Sequence, residues 1–150
     1  MQRQRVEIEG LEINLTVQTP IDGLKLSAGY AHILGRFDSN GDDEIDTDLD
    51  GANISPDRLN LAASFASGPL SARVQTQFYL SRDFQGLLRD PRNDFGGYTL
   101  TDATVRYQTA IGALSLSAQN LFDKQYTTYA SDTQRPTDNT FFFAGRGRSF

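Results

Sequence analysis

Cysteine is absent from the 150 residues, which excludes disulfides and thiolate metal sites. Long apolar runs are absent as well: no stretch approaches the roughly eighteen consecutive apolar residues of a membrane-crossing helix. The charged start, Met1–Arg5, has no apolar segment behind it and is not a secretory signal. Lysine is nearly missing, since Lys25 and Lys124 are the only two and the remaining basic charge is arginine. With a net charge of -5 the chain lacks the basic surface that phosphate binding needs, so nucleic acid is not an expected partner. His32 is the one histidine. At a strand end it is expected as an interface residue rather than a ligand. No G-x-S-x-G, nucleotide-binding glycine loop or His-plus-carboxylate cluster is present, so no enzyme is expected.

What is present is alternation. The 38% apolar and 22% charged residues would suit a soluble domain equally, so their order has to decide. Leu11, Ile13, Leu15 and Val17 alternate with polar residues, and so do Leu24, Leu26, Ala28 and Tyr30. The same holds for Leu59, Leu61, Ala63 and Phe65, and for Leu70, Ala72, Val74, Thr76 and Phe78. Ala103, Val105 and Tyr107, then Leu114, Leu116 and Ala118, complete six strands of period two. A seventh strand is expected from Phe141. Val6 and Ile8 stand on the opposite phase to Leu11, which predicts a bulge at Gly10.

The connections alternate short and long. Thr19–Gly23, Ser67-Gly68-Pro69 and Thr109–Ala113 read as tight turns. Asp38–Pro56, Asp83–Gly97 and Thr127–Thr140 are long and polar. Compact soluble domains rarely place three long loops at one end of a meander, whereas membrane barrels do. The polar set, which includes Lys25, Arg58, Asn60, Arg73, Gln75, Gln77, Arg106, Gln108 and Gln119, is bulky and hydrogen-bonding, as a wet lumen requires. Asp102 and Arg106, four apart, are expected as a lumenal charge pair. Tyr30, Phe37, Phe65, Phe78, Tyr98, Tyr107 and Phe122 fall near strand ends, where a membrane-interface girdle would stand.

One segment carries candidate metal chemistry. Asp38, Asn40, Asp42 and Asp46 supply oxygens at relative positions 1, 3, 5 and 9, a spacing similar to a calcium loop. Position 6, where such loops have glycine, is Asp43, and position 12 is Leu49 rather than an acid. Calcium binding in Asp38–Asp46 is therefore expected to be weak or absent, and no other cofactor is expected.

Further along, Asn120-Leu121-Phe122-Asp123-Lys124-Gln125-Tyr126 resembles the motif near the C-terminus of TonB-dependent outer-membrane receptors. Gly97-Tyr98-Thr99-Leu100-Thr101-Asp102-Ala103 resembles a strand opening of that family, and Val6–Ile13, Ile54–Leu61 and Gly145–Phe150 are similar to others, in the family's order. The resemblance implies an all-β antiparallel up-and-down meander, six to seven strands of a transmembrane barrel of about 22. On this reading residues 1–150 are the C-terminal part of the barrel domain, with the N-terminal plug and a signal peptide outside the chain and the final strand truncated. It further implies energised uptake of a siderophore, vitamin or other scarce nutrient across the outer membrane of a Gram-negative bacterium. The implied partners are outer-membrane lipid, a small nutrient ligand, and the TonB energy-coupling complex acting through the plug. The alternative is a soluble β-sheet domain that binds a small ligand or calcium. A segment of a large barrel is expected to leave open edges, because strand number, tilt and stagger are linked.

Overall fold

Side chains that alternate at period two gather on one side only when the backbone is extended, so this pattern selects strands. The computed structural model describes residues 5–49, 51, 53–86, 94–133 and 144–150. It contains β1 (Val6–Gln18), β2 (Leu24–Phe37), β3 (Thr47–Asp48), β4 (Arg58–Ser67), β5 (Leu70–Tyr79), β6 (Tyr98–Thr109) and β7 (Gly112–Ala118). One short helix, α1 (Tyr129–Asp132), follows. The long strands pair antiparallel in the order β1-β2-β4-β5-β6-β7, the expected meander. β3 is an addition within the first long loop, pairing with Arg36 and Phe37 of β2. The strand expected from Phe141 lies outside the described residues.

The register fixes the faces. Leu15, Ala28, Leu61 and Thr76 stand opposite one another across four strands, and Val17, Leu26, Ala63, Val74 and Ala103 form the next row. Phe65, Ala72, Val105 and Leu116 make a third. The other face carries Lys25, Ser64, Arg73, Thr104 and Ser117 in one row, with Asn60 opposite Gln77 and Gln75 opposite Asp102. Nothing in the described chain covers the apolar face: Leu15 is 59% exposed, Val74 46% and Leu116 67%. The hydrophobic residues that are buried, Phe37, Ile54, Phe84, Phe95 and Tyr129, lie at the loop end and not on this face. A complete soluble domain would enclose its apolar face, whereas among the described residues this face is open. Two hydroxyls that face out in this band, those of Thr76 and Thr101, lie 3.1 Å apart and satisfy each other.

Two expectations need correction. Gly10 makes no bulge, because β1 and β2 pair one to one from Val6↔Phe37 through Gly10↔Ile33 to Gln18↔Lys25. The change of phase reflects the surroundings and not the backbone. Above the apolar band the outer face carries Glu7 and Glu9, while Val6 and Ile8 turn to the side where the loops pack. The girdle also loses two members. Tyr30, Phe65, Phe78 and Tyr107 stand on the apolar face, but Phe37 and Tyr98 stand on the polar one.

The face assignment is tested by paired substitutions. Val74→Arg should cost about 2–4 kcal/mol near the middle of a lipid bilayer. Gln75→Arg, one residue along, should change stability by less than about 0.5 kcal/mol. Urea titration of the barrel folded in lipid vesicles measures both, and equal costs would mean that the faces are misassigned.

Candidate functional site

The three long loops converge at one end of the sheet. Asp48 donates its N–H to Gln85 O at 2.8 Å, and the Gln85 N–H returns to Asp48 Oδ2 at 2.9 Å, so the first and second loops are stitched together. Arg82 and Phe95 exchange backbone hydrogen bonds of 2.9 and 2.8 Å across the second loop. Arg82 Nη1 also donates to Ile33 O at 2.9 Å and Ser55 O at 3.2 Å, tying that loop to β2 and the first loop. The third loop joins where Gly51 lies against the fully buried Thr133. Ile54 packs onto β2 at Gly35, where a Cβ would come within 2.6 Å of its Cδ1, so only glycine allows that approach.

Aromatic rings fill the junction on the polar face. Tyr79 and Tyr98 stand directly opposite in β5 and β6, with ring centroids 4.5 Å apart. Tyr98 continues to Tyr126 at 4.4 Å and, edge-on, to Phe95 at 5.7 Å. Phe95 meets Tyr129 of α1 edge-on at 4.8 Å. The sequence pattern missed this cluster. Its signal was Phe84 and Phe95 standing in an otherwise polar loop, since large rings there need cover.

The candidate metal residues share the first loop but are occupied by it. Asp38 accepts from the N–H groups of Gly41 at 2.6 Å, Asp43 at 2.9 Å and Asn40 at 3.2 Å. Burial alone would raise the Asp38 pKa, but the donors of Gly41, Asp43, Asn40 and Asp42 outweigh it and hold the carboxyl below its ordinary value. Asp46 is lowered in the same way: burial opposes, and the Thr47 and Ser39 hydroxyls with the Ser39 N–H prevail. Asp42 accepts from Asn40 Nδ2 and the Glu44 N–H, both at 2.9 Å. Asp43, where a calcium loop has glycine, adopts φ +69°, a left-handed conformation that Asp tolerates. Among the described residues no three His, Cys, Asp or Glu side chains gather into a metal-holding group.

Asn120 is the hub of the last segment. Its backbone is left-handed, φ +48°, and it is 5% exposed. Its N–H donates to Asp102 Oδ1 at 2.8 Å. Its side chain donates to Lys124 O at 2.9 Å and Arg146 O at 3.0 Å, and accepts the Lys124 N–H at 2.8 Å. Asp123 Oδ1 takes the Arg148 N–H at 2.9 Å, and Gln119 bridges to Ser149. Three separate sequence motifs thus meet in one knot. Asp102 is engaged here, while Arg106 reaches Gln108 Oε1 at 3.4 Å, so the expected charge pair does not form. Four residues along a strand span about 13 Å, too far for an ion pair. His32 sits on the outer face above the apolar band, with Nδ1 2.7 Å from Asp57 Oδ2, which also accepts from the Tyr30 hydroxyl at 3.1 Å.

Comparison with known proteins bears on all of these parts. The family described as TonB dependent receptor-like, beta-barrel matches residues 2–121. The ferric aerobactin receptors of Escherichia coli and Klebsiella pneumoniae are each 38% identical over 106 residues, covering 64% of this chain. The chain spans 13% of the length of those receptors. No solved structure matches it.

Two measurements test the site. Asn120→Ala removes three side-chain hydrogen bonds and forces alanine into a left-handed turn, so it should cost roughly 3–5 kcal/mol in the folded barrel. Asn120→Gly should cost less, because it keeps the turn; chemical unfolding in detergent compares them. The second is pH dependence. Asp38 and Asp46 have lowered pKa values, so the stability they give the first loop is present above their ordinary value of 3.8 and is lost as the pH falls through the folded pKa. Asp132 has a pKa raised by burial, so acid relieves its penalty and favours α1. Hydrogen exchange from pH 7 towards 3 should show protection falling at 38–47 and rising at 129–133, with added calcium changing neither.

Proposed function

The chain belongs to the TonB-dependent receptor β-barrel family, and on that premise we propose that it forms wall strands of an outer-membrane receptor that takes up a ferric siderophore. Members of this family are transport receptors and not enzymes. The observation that carries the reading is the bare apolar face backed by a polar one, with the long loops packed together at one end. Lipid supplies the missing cover, because an uncharged apolar band is compatible with hydrocarbon and costly to leave in water.

In this reading residues 1–150 belong to the C-terminal part of the barrel domain of a larger receptor. β1 has no partner on its outer side among the described residues, and β7 meets only the Gln119–Ser149 bridge beyond β6. Unpaired edges cannot persist in lipid, so further strands close the barrel. The loop cluster meets the ligand outside the cell and the polar face lines its path inward. A plug carried elsewhere in the receptor couples the barrel to the TonB complex, and the receptor resides in the outer membrane of a Gram-negative cell. The resemblance to ferric aerobactin receptors makes ferric aerobactin the ligand to try first.

The test is uptake of radioactive iron from ferric aerobactin by iron-starved cells whose only siderophore receptor is the complete protein carrying this chain. Uptake that disappears when TonB is deleted is the expected result. Absence of both cell-surface binding and growth on this chelate would overturn the assignment of ligand.

A further inference from the structure

The chain on either side of the Asn120 motif meets residues 144–150 in two different registers. Two antiparallel bridges mark the pairing, Gln119↔Ser149 and Thr127↔Ala144. Between them stand residues 120–126, seven in all, on one side and residues 145–148, four in all, on the other. The surplus of three has to be folded away for both bridges to form, as the extra residue of a β-bulge is.

Asn120 and Asp123 fold it. Both have left-handed backbones, φ +48° and +53°, and the Asp123 N–H closes the turn on Asn120 O at 2.8 Å. Their side chains then cross to the opposing segment: Asn120 Nδ2 donates to Arg146 O at 3.0 Å, and Asp123 Oδ1 accepts the Arg148 N–H at 2.9 Å. Backbone pairing flanks these contacts, with the Gly145 N–H on Tyr126 O at 2.8 Å and Gln119 and Ser149 exchanging bonds of 2.8 and 3.1 Å. A Cβ at position 145 would overlap the Tyr126 ring. Displacing the segment by one residue either way would bring Ala144 or Arg146 to that place.

Such a slip would also exchange the faces. Ser149 stands on the polar face beside Gln119, its Oγ 3.4 Å from Gln119 Oε1. Arg148 and Phe150 share the other side, the guanidinium carbon 5.7 Å from the ring centre, and Phe150 is 82% exposed there. That side is the apolar face, since Ala118 pairs with Ala103 of the outward row.

We infer that the Asn120–Asp123 turn is a register clamp: it takes up three surplus residues and presents the 144–150 segment to the end of β7 in the phase that keeps Phe150 on the apolar face. Backbone hydrogen bonding is alike in either phase, so side chains have to select it. The clamp serves the barrel wall whatever ligand the receptor carries.

The test reads the register in the complete receptor folded in its membrane. This chain has no cysteine, and any elsewhere in the receptor is replaced. Gln119→Cys with Ser149→Cys should link under mild oxidation, because directly paired Cα atoms lie about 5.5 Å apart. Gln119→Cys with Arg148→Cys or with Phe150→Cys should not, because those side chains face opposite ways. Asn120→Gly with Asp123→Gly keeps both left-handed residues and removes the clamping side chains. In that background the 119–149 link should fall at least about threefold in yield, and a 119–148 or 119–150 link should appear. Asp123→Asn, which keeps the acceptor, should leave the original pattern. A receptor that folds with both glycines and still links only 119 to 149 would overturn the inference, since neighbouring strands would then set the register. Loss of the 119–149 link with no displaced link would overturn it as well, because the segment would only have come loose. Should the double variant not fold, as judged by heat-modifiable mobility, Asp123→Gly alone is read in the same way, and an unshifted pattern there overturns the clamp.

Discussion

The structure depends on an apolar face that the chain itself cannot cover. Across the band, from the Ile13–Tyr30 row to Leu116, the outward residues are branched, aromatic or small, and no second layer packs on them among the described residues. In water such a sheet would have to find a partner surface. In a bilayer the same face is satisfied, and the backbone is satisfied because each strand pairs with the next. The sheet therefore takes its stability from its surroundings and from neighbouring strands. That inverts the usual arrangement, in which a core is enclosed.

Packing of the ordinary kind is left to the ends of the strands. There the chain leaves the apolar band and must build a small core of its own. It does so from Phe84, Phe95 and Tyr129, with Ile54 on Gly35 and Arg82 pinned across two carbonyls. The same transition explains β1. Glu7 and Glu9 face outward above the band, and Val6 and Ile8 face the loops. One strand thus carries the open apolar band along one stretch and meets loop packing along another, and its apolar phase switches between them without a break in pairing.

The motif around Asn120 works by hydrogen bonding. Asn is the residue type that combines tolerance of a left-handed backbone with two donors and an acceptor. All are used at once, joining the Asp102 strand, the Lys124 turn and the Arg146 segment. Asp123 repeats the device with the Arg148 N–H. The polar face keeps its charges unevenly. Carboxylates near the loop end and middle are tied to amides, as Glu12 is to Asn14 and Asp102 to Asn120, while Lys25, Arg73 and Arg106 lie towards the turns.

The strands, their order and their faces could be read from period two and from the rhythm of short and long connections, because side-chain alternation is a local property of extended backbone. Leu61, Val74 and Val105 fall on one face and Asn60, Arg73 and Arg106 on the other, as the alternation alone required. The family, too, was legible in short motifs in a fixed order, now matched over residues 2–121. The sequence could not show which face Tyr98 and Phe37 serve, that Gly10 leaves the register intact, or that Asp102 turns to Asn120 and not to Arg106. Each of those depends on what lies across space, not along the chain. The acidic loop shows the limit most clearly. Its spacing announced oxygens suited to a cation, but only the folded turn decided that backbone N–H groups reach them. Tertiary structure alone gathered Lys25, Arg73 and Arg106 into one groove, because positions far apart in sequence become neighbours only once the strands have paired.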